Sequence, residues 1–224
     1  MSSSRTQLIS LACLLGLEAI ALVSQPSLTL AQAFKPSGIP VPPRRVFLPP
    51  RGDLAGECVP AATKPIALIP GTNFGMPLTA SAHPTFFVYV PETHASSLEF
   101  TLYDSGKEVY FAQLEPNSQA GILPLPIPES VSLEAQENDG EMKVYEWTLT
   151  LVCDPSDATK DIAVTGWVHR IPDVNPEGKT AADFANLGVW YDALDAAYSE
   201  QTAAVLLDSV GLAEFTEVPL LELE

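Results

Sequence analysis

Along residues 145–153 every second side chain is apolar. Tyr145, Trp147, Leu149, Leu151 and Cys153 share one side, and Glu146, Thr148 and Thr150 share the other. A backbone with a side-chain period of two separates these sets cleanly, whereas an α-helix scatters both around its axis. The segment therefore reads as a half-buried β-strand, and such a strand needs neighbouring strands and a covering layer. Cys153 falls on its core side.

The same reading extends over residues 56–171. Residues 86–90 are an aromatic and β-branched run between Pro84 and Pro91. Leu98, Phe100 and Leu102 alternate with Glu99, Thr101 and Tyr103; Asp104, Ser105 and Gly106 supply a turn, and residues 108–114 return. Residues 121–127 are apolar but carry Pro124 and Pro126, which cannot donate to a ladder, so they form an edge strand or an extended segment. Residues 137–141 form a turn. Asp154, Pro155, Ser156 and Asp157 turn the chain into a last strand over 161–171, where Ile162, Val164 and Val168 oppose Thr165, Trp167 and His169. About seven short strands with frequent turns predict a mainly β fold, a two-sheet antiparallel β-sandwich. A Cys and a Trp on one strand echo immunoglobulin domains, but their spacing and order differ.

From Thr180 the period changes. Thr180 with Asp183 has the form of a capping box, with Asp in the usual Glu place. Phe184, Leu187, Tyr191, Leu194 and Tyr198 follow at helical spacing, Gly188 kinks or splits the helix, and a further helix over 203–210 stops at Gly211. This C-terminal α-helical segment, about 180–211, is expected to pack its stripe on the sandwich.

The chain opens with a polar start holding Arg5, an apolar run over 8–23 and the small pair Ala31 and Ala33. That is the layout of a secretory signal peptide over residues 1–33. The apolar run falls short of the roughly 20 residues a spanning helix needs and contains Glu18, so no stable membrane span is expected after cleavage. Residues 34–51, with six prolines and Lys35, Arg44, Arg45 and Arg51, read as a Pro-rich basic linker. Residues 52–215 then form a single domain and 216–224 an acidic C-terminal tail. Cys58 and Cys153 are the cysteines left after cleavage, and in an oxidising compartment an isolated pair reads first as a disulfide. Two buried free thiols are the alternative.

Formal net charge is −17, and it is unchanged if Arg5 and Glu18 leave with the leader. From Asp173 onward Lys179 is the only base against eleven acids. Such a surface does not bind nucleic acid or anionic lipid unaided. No nucleophile elbow, metalloprotease helix or phosphate loop is present, and no Cys/His set has zinc spacing, so neither a cofactor, a metal site nor a catalytic set is assigned. Asp154, Asp157 and Asp161 are close in sequence but match no standard calcium loop.

Several segments together resemble a known family. They are Arg51, Gly52 and Asp53 before Cys58; residues 81–91, around His83, Pro84, Thr85 and Phe86; residues 147–155; Gly166, Trp167 and Val168; and residues 188–194, around Trp190, Tyr191, Asp192, Ala193 and Leu194. In order and spacing they are similar to the cyanobacterial envelope family catalogued as domain of unknown function 928, over roughly residues 45–215. The resemblance implies an exported location and a domain extent, and no chemistry.

Two functions are weighed. The first is a non-enzymatic exported envelope protein, periplasmic or secreted, that binds another exported protein or cell-wall glycan. Its candidate contacts are His83, Trp167, His169 and Tyr191, since Trp and Tyr dominate binding hot spots, although Tyr191 and Trp190 serve equally as core. The second is an exported hydrolase using His83 with a nearby carboxylate. A cleft joining His83 to an acid favours the hydrolase; a flat aromatic patch favours binding. N-terminal sequencing of protein extracted from the envelope is expected to give a start at Phe34, and a mature pool starting at Met1 or Ser2 contradicts cleavage after Ala33.

Overall fold

The alternating segments pair into ladders as their patterns require. The computed structural model describes residues 33–41, 58–135, 137, 138, 141–172 and 174–222. The expected leader up to residue 32, residues 42–57 of the expected linker and domain start, and the last two residues of the expected tail lie outside these. Everything below belongs to the unit Ala31–Glu224.

The strands are β1 (Ile66–Ala67), β2 (Leu78–Thr79), β3 (Thr85–Val90), β4 (Ser97–Asp104), β5 (Lys107–Leu114), β6 (Gly121–Pro126), β7 (Glu137–Asn138), β8 (Glu141–Met142), β9 (Tyr145–Val152) and β10 (Ile162–Arg170). They form a five-stranded sheet in the order β2-β10-β9-β4-β5, a three-stranded sheet β1-β3-β6, and the short pair β7-β8. The fold is mainly β, with two larger sheets. One expectation is corrected: β2 runs parallel to β10, so the five-stranded sheet is mixed. β2 joins β10 across most of the domain rather than through a hairpin, so no tight turn imposes an antiparallel direction. The predicted hairpin is present between β4 and β5, with Ser105 (φ 52°) and Gly106 (φ 81°) both left-handed, as a two-residue turn between twisted strands demands.

The inner faces meet through aromatic rings. Phe86 of β3 lies 5.2 Å from Trp147 of β9 and 5.6 Å from Phe100 of β4, centroid to centroid. Trp147 can lie flat across β10 because its cross-strand partner is Gly166; a Cβ there would overlap the indole.

Three α-helices follow: α1 (Ala181–Leu187), α2 (Trp190–Ser199) and α3 (Ala203–Ser209). The Thr180–Asp183 capping box starts α1, and Gly188 ends it in the left-handed region (φ 72°, ψ 22°). That break rotates the apolar stripe. Leu187, expected on the buried side, is 49% exposed, while Val189 and Trp190 are buried in its stead. Against the β layers, α2 sets Tyr191 edge-on to Phe86 at 5.0 Å and stacks Tyr198 on Phe87 at 4.8 Å.

Both ends of the described chain are tied in. Phe34, read as the first residue of a linker, is buried with its ring 5.1 Å from that of Trp190. Lys35 N–H bonds Ala185 O at 3.0 Å, Ser37 N–H bonds Phe74 O at 3.0 Å, and Ile39 O accepts from Met76 at 2.7 Å. Proline removes donors only at its own positions, and the residues between the prolines still supply theirs. At the other end, read as an acidic tail, Leu221 is buried; its N–H bonds Ile122 O, and Pro219 O accepts from Ile122, both at 2.8 Å. The edge of β6 is thereby covered at Ile122. Cys58 and Cys153 form the expected disulfide, with Cα atoms 5.4 Å apart and a sequence separation of 95. A loop of that size is stabilised by about 4.7 kcal/mol in the chain-entropy treatment, less any native strain.

Gly166→Ala is expected to destabilise the fold by about 1–3 kcal/mol, the usual cost of overpacking. Denaturant unfolding checks it: an unchanged midpoint would show that Trp147 moves aside freely.

Candidate functional site

With Trp147, Leu149 and Leu151 turned inward, Glu146, Thr148 and Thr150 turn outward, and pairing register carries that face across the five-stranded sheet. Trp167 on β10 lies opposite Glu146 on β9, Glu146 opposite Tyr103 on β4, and Tyr103 opposite Glu108 on β5. The adjacent row runs Thr165, Thr148, Thr101 and Phe111, and the next Ala163, Thr150, Glu99 and Gln113. Most of these side chains are half-buried or exposed, and Phe111 is 47% exposed; Thr101 is buried. The Thr148 and Thr165 hydroxyls share a hydrogen bond at 3.3 Å. This is a solvent-facing sheet surface of rings, hydroxyls and carboxylates.

The three tryptophans divide by their indole N–H groups. Trp147 donates to the Tyr191 hydroxyl at 3.0 Å and Trp190 to Leu68 O at 2.8 Å, and both rings are fully buried. Trp167 is half-buried, and among the described residues nothing accepts from its indole. Buried indoles satisfy their N–H, so Trp167 is the tryptophan left to meet solvent or a ligand.

The other candidates from the sequence go elsewhere. Tyr191 is buried; its hydroxyl accepts from Trp147 and donates to Trp167 O at 2.7 Å. Burial pushes its phenol well above the ordinary value, and the Trp147 hydrogen bond opposes this in part. Tyr191 is therefore a structural connector rather than a surface contact. His169 shares the Trp167 face but is buried, with Nδ1 2.8 Å from Lys143 O. His83 Nδ1 lies 2.8 Å from Val131 O. A carbonyl only accepts, so Nδ1 carries the proton. Among the described residues no carboxylate hydrogen-bonds His83. His83, His169 and Tyr191 are thus each engaged by the fold itself, and Trp167 alone stands with its polar atom free.

Two polar clusters escaped the sequence reading. Asp192 on α2 accepts from Thr79 Oγ1 at 2.8 Å and Ala80 N at 2.9 Å, and burial raises its carboxyl against those bonds. Lys143 pairs with Asp104 at 2.9 Å and Glu134 at 2.7 Å beneath the Tyr145 ring. Its hydrogen bond to Glu134 raises its pKa further than burial lowers it. Both clusters are internally satisfied braces. Asp154, Asp157 and Asp161 are likewise spent on Lys160, Thr159 and the Cys153 N–H, and among the described residues no group of three or more His, Cys, Asp or Glu is placed to hold a metal ion. Three residues of this sheet face were not among the sequence candidates: Tyr103, Glu146 and Phe111. Their outward phase was visible in the alternation, but their adjacency to Trp167 needs the strand order.

The model of one family, described as Domain of Unknown Function (DUF928), matches residues 49–220. No curated protein and no solved structure matches the chain.

Tyr191→Phe leaves a buried Trp147 N–H without an acceptor and is expected to cost about 1–3 kcal/mol. Thermal or urea unfolding reads this, and a variant as stable as the parent would remove Tyr191 from the set that holds the sheets and α2 together.

Proposed function

The chain belongs to the family of domain of unknown function 928, and from that premise we propose that it is a non-enzymatic envelope binding module. Its binding surface is the outer face of the five-stranded sheet, and its partners are another exported protein or cell-wall glycan. The observation that carries this reading is the row Trp167, Glu146 and Tyr103 on a solvent-facing sheet, with the Trp167 indole N–H free among the described residues. Half-buried aromatic rings beside polar groups are the usual anchors of recognition surfaces. The disulfide suits an oxidising, exported setting. Among the described residues no helix is long and apolar enough to cross a membrane.

In this reading the core and the face have separate duties. Tyr191, Trp190 and the disulfide hold the scaffold; Trp167 and Tyr103 make contact. A rigid sheet is a better platform than a loop, since side chains keep their spacing without an ordering cost.

The test is co-sedimentation of the mature protein with isolated envelopes. Trp167→Ala is expected to release most of the bound protein while leaving the melting temperature within a few degrees of the parent. Equal retention of parent and variant would move the binding surface elsewhere.

A further inference from the structure

We propose that the outer sheet face takes a neutral, β-1,4-linked glycan, laid across the strands with sugar rings on Trp167 and Tyr103; this rests on the reading of that face as the binding surface. Charge is the first selector. Glu146 stands between the two rings, Glu108 lies beyond Tyr103 and Glu99 lies two rows further along β4. No Lys or Arg shares these three rows, and the chain carries a net charge of −17. An anionic ligand would be repelled by the face and by the whole protein.

Hydrogen-bond chemistry narrows the class further. Ionised carboxylates accept only, and threonine hydroxyls do both. A ligand for this surface must therefore bring many donors, spread along its length. It must also bring apolar patches, because Trp167 and Tyr103 are half-buried rings on this sheet face. A pyranose with equatorial substituents has both: its axial C–H bonds make an apolar face for an aromatic ring, and its hydroxyls project around the rim as donors. The free Trp167 indole N–H and the Tyr103 hydroxyl, which has no partner among the described residues, add donors toward the sugar oxygens.

Spacing agrees with this. Trp167 and Tyr103 sit on strands either side of β9, so their backbones are about 10 Å apart, twice the inter-strand distance, which is also the order of one disaccharide in an extended β-linked chain. In such a chain every second ring presents the same face. Glu146 lies between the two rings and meets the intervening sugar's hydroxyls, with Thr148 and Thr165 alongside in the next row. An α-linked helical glucan does not lie flat and would reach only one ring.

The experiment is titration of the full mature protein with chitohexaose and with maltohexaose, followed by calorimetry and by tryptophan fluorescence. Chitohexaose is expected to bind at least about tenfold tighter than maltohexaose, and Trp167→Ala and Tyr103→Ala are each expected to weaken it by about tenfold. Using two variants guards against one that folds poorly, and the melting temperature of each is checked. No chitohexaose binding, equal binding of maltohexaose, or two folded variants that bind like the parent would each overturn the proposal. Envelope retention separates the two levels. If Trp167→Ala releases the protein from envelopes yet the parent ignores chitohexaose and binds a lysine-rich peptide, the face stands and the glycan class falls. If neither retention nor chitohexaose binding responds to Trp167, both fall.

Discussion

One buried hydroxyl joins the parts of this protein. Tyr191 Oη accepts a hydrogen bond from the indole N–H of Trp147 and donates one to Trp167 O, so one atom connects α2, the inner face of β9 and the backbone of β10. Each bond contributes only about 0.5–1.5 kcal/mol net, but leaving a buried donor or acceptor alone costs about 1–3 kcal/mol. That asymmetry gives the packing its specificity. Phe86 closes the cluster with contacts to Trp147, Phe100 and Tyr191, and Gly166 supplies the room in which Trp147 lies. The inner cluster also bears on the outer face, because the same β10 residue that accepts from Tyr191 through its carbonyl presents its indole to solvent.

Around this centre the chain closes its loose ends. Phe34 packs on Trp190, Leu221 N–H bonds Ile122 O, and the Cys58–Cys153 bridge holds the chain just before β1 to the end of β9. A chain of this size has a large surface relative to its core, and a charge of −17 adds self-repulsion. Long-range ties between distant parts of the chain oppose that repulsion without needing more apolar residues. Among the described residues, Lys143, between Asp104 and Glu134, and Lys160, beside Asp154, form ion pairs.

A sheet covered on one side leaves the other to water. Here that second side carries carboxylates and threonines, which keep it hydrated, together with Trp167, Tyr103 and Phe111, which water does not require. The acidic rows make this face, like the whole chain, repel anions.

The local elements were legible in the sequence because they depend on neighbours in the chain. Alternation over 145–153 marked β9 and its inner face, Ser105 and Gly106 marked the hairpin, and Thr180, Asp183 and Gly188 marked both ends of α1. The disulfide was legible because only two cysteines lie beyond residue 33, where cleavage is expected, and two cysteines allow one pairing. What the sequence could not supply was adjacency. That β2 runs parallel to β10, that Phe34 and Leu221 fold back onto the domain, and that Tyr191 turns inward while Trp167 turns outward all depend on contacts between residues far apart in the chain. The candidate surface illustrates the division. Periodicity alone placed Trp167, Glu146 and Tyr103 each on a particular face of its own strand, since side-chain direction is a local property of extended backbone. Only the strand order β10-β9-β4 brought the three into one row, because strand order is decided by the packing of the whole core.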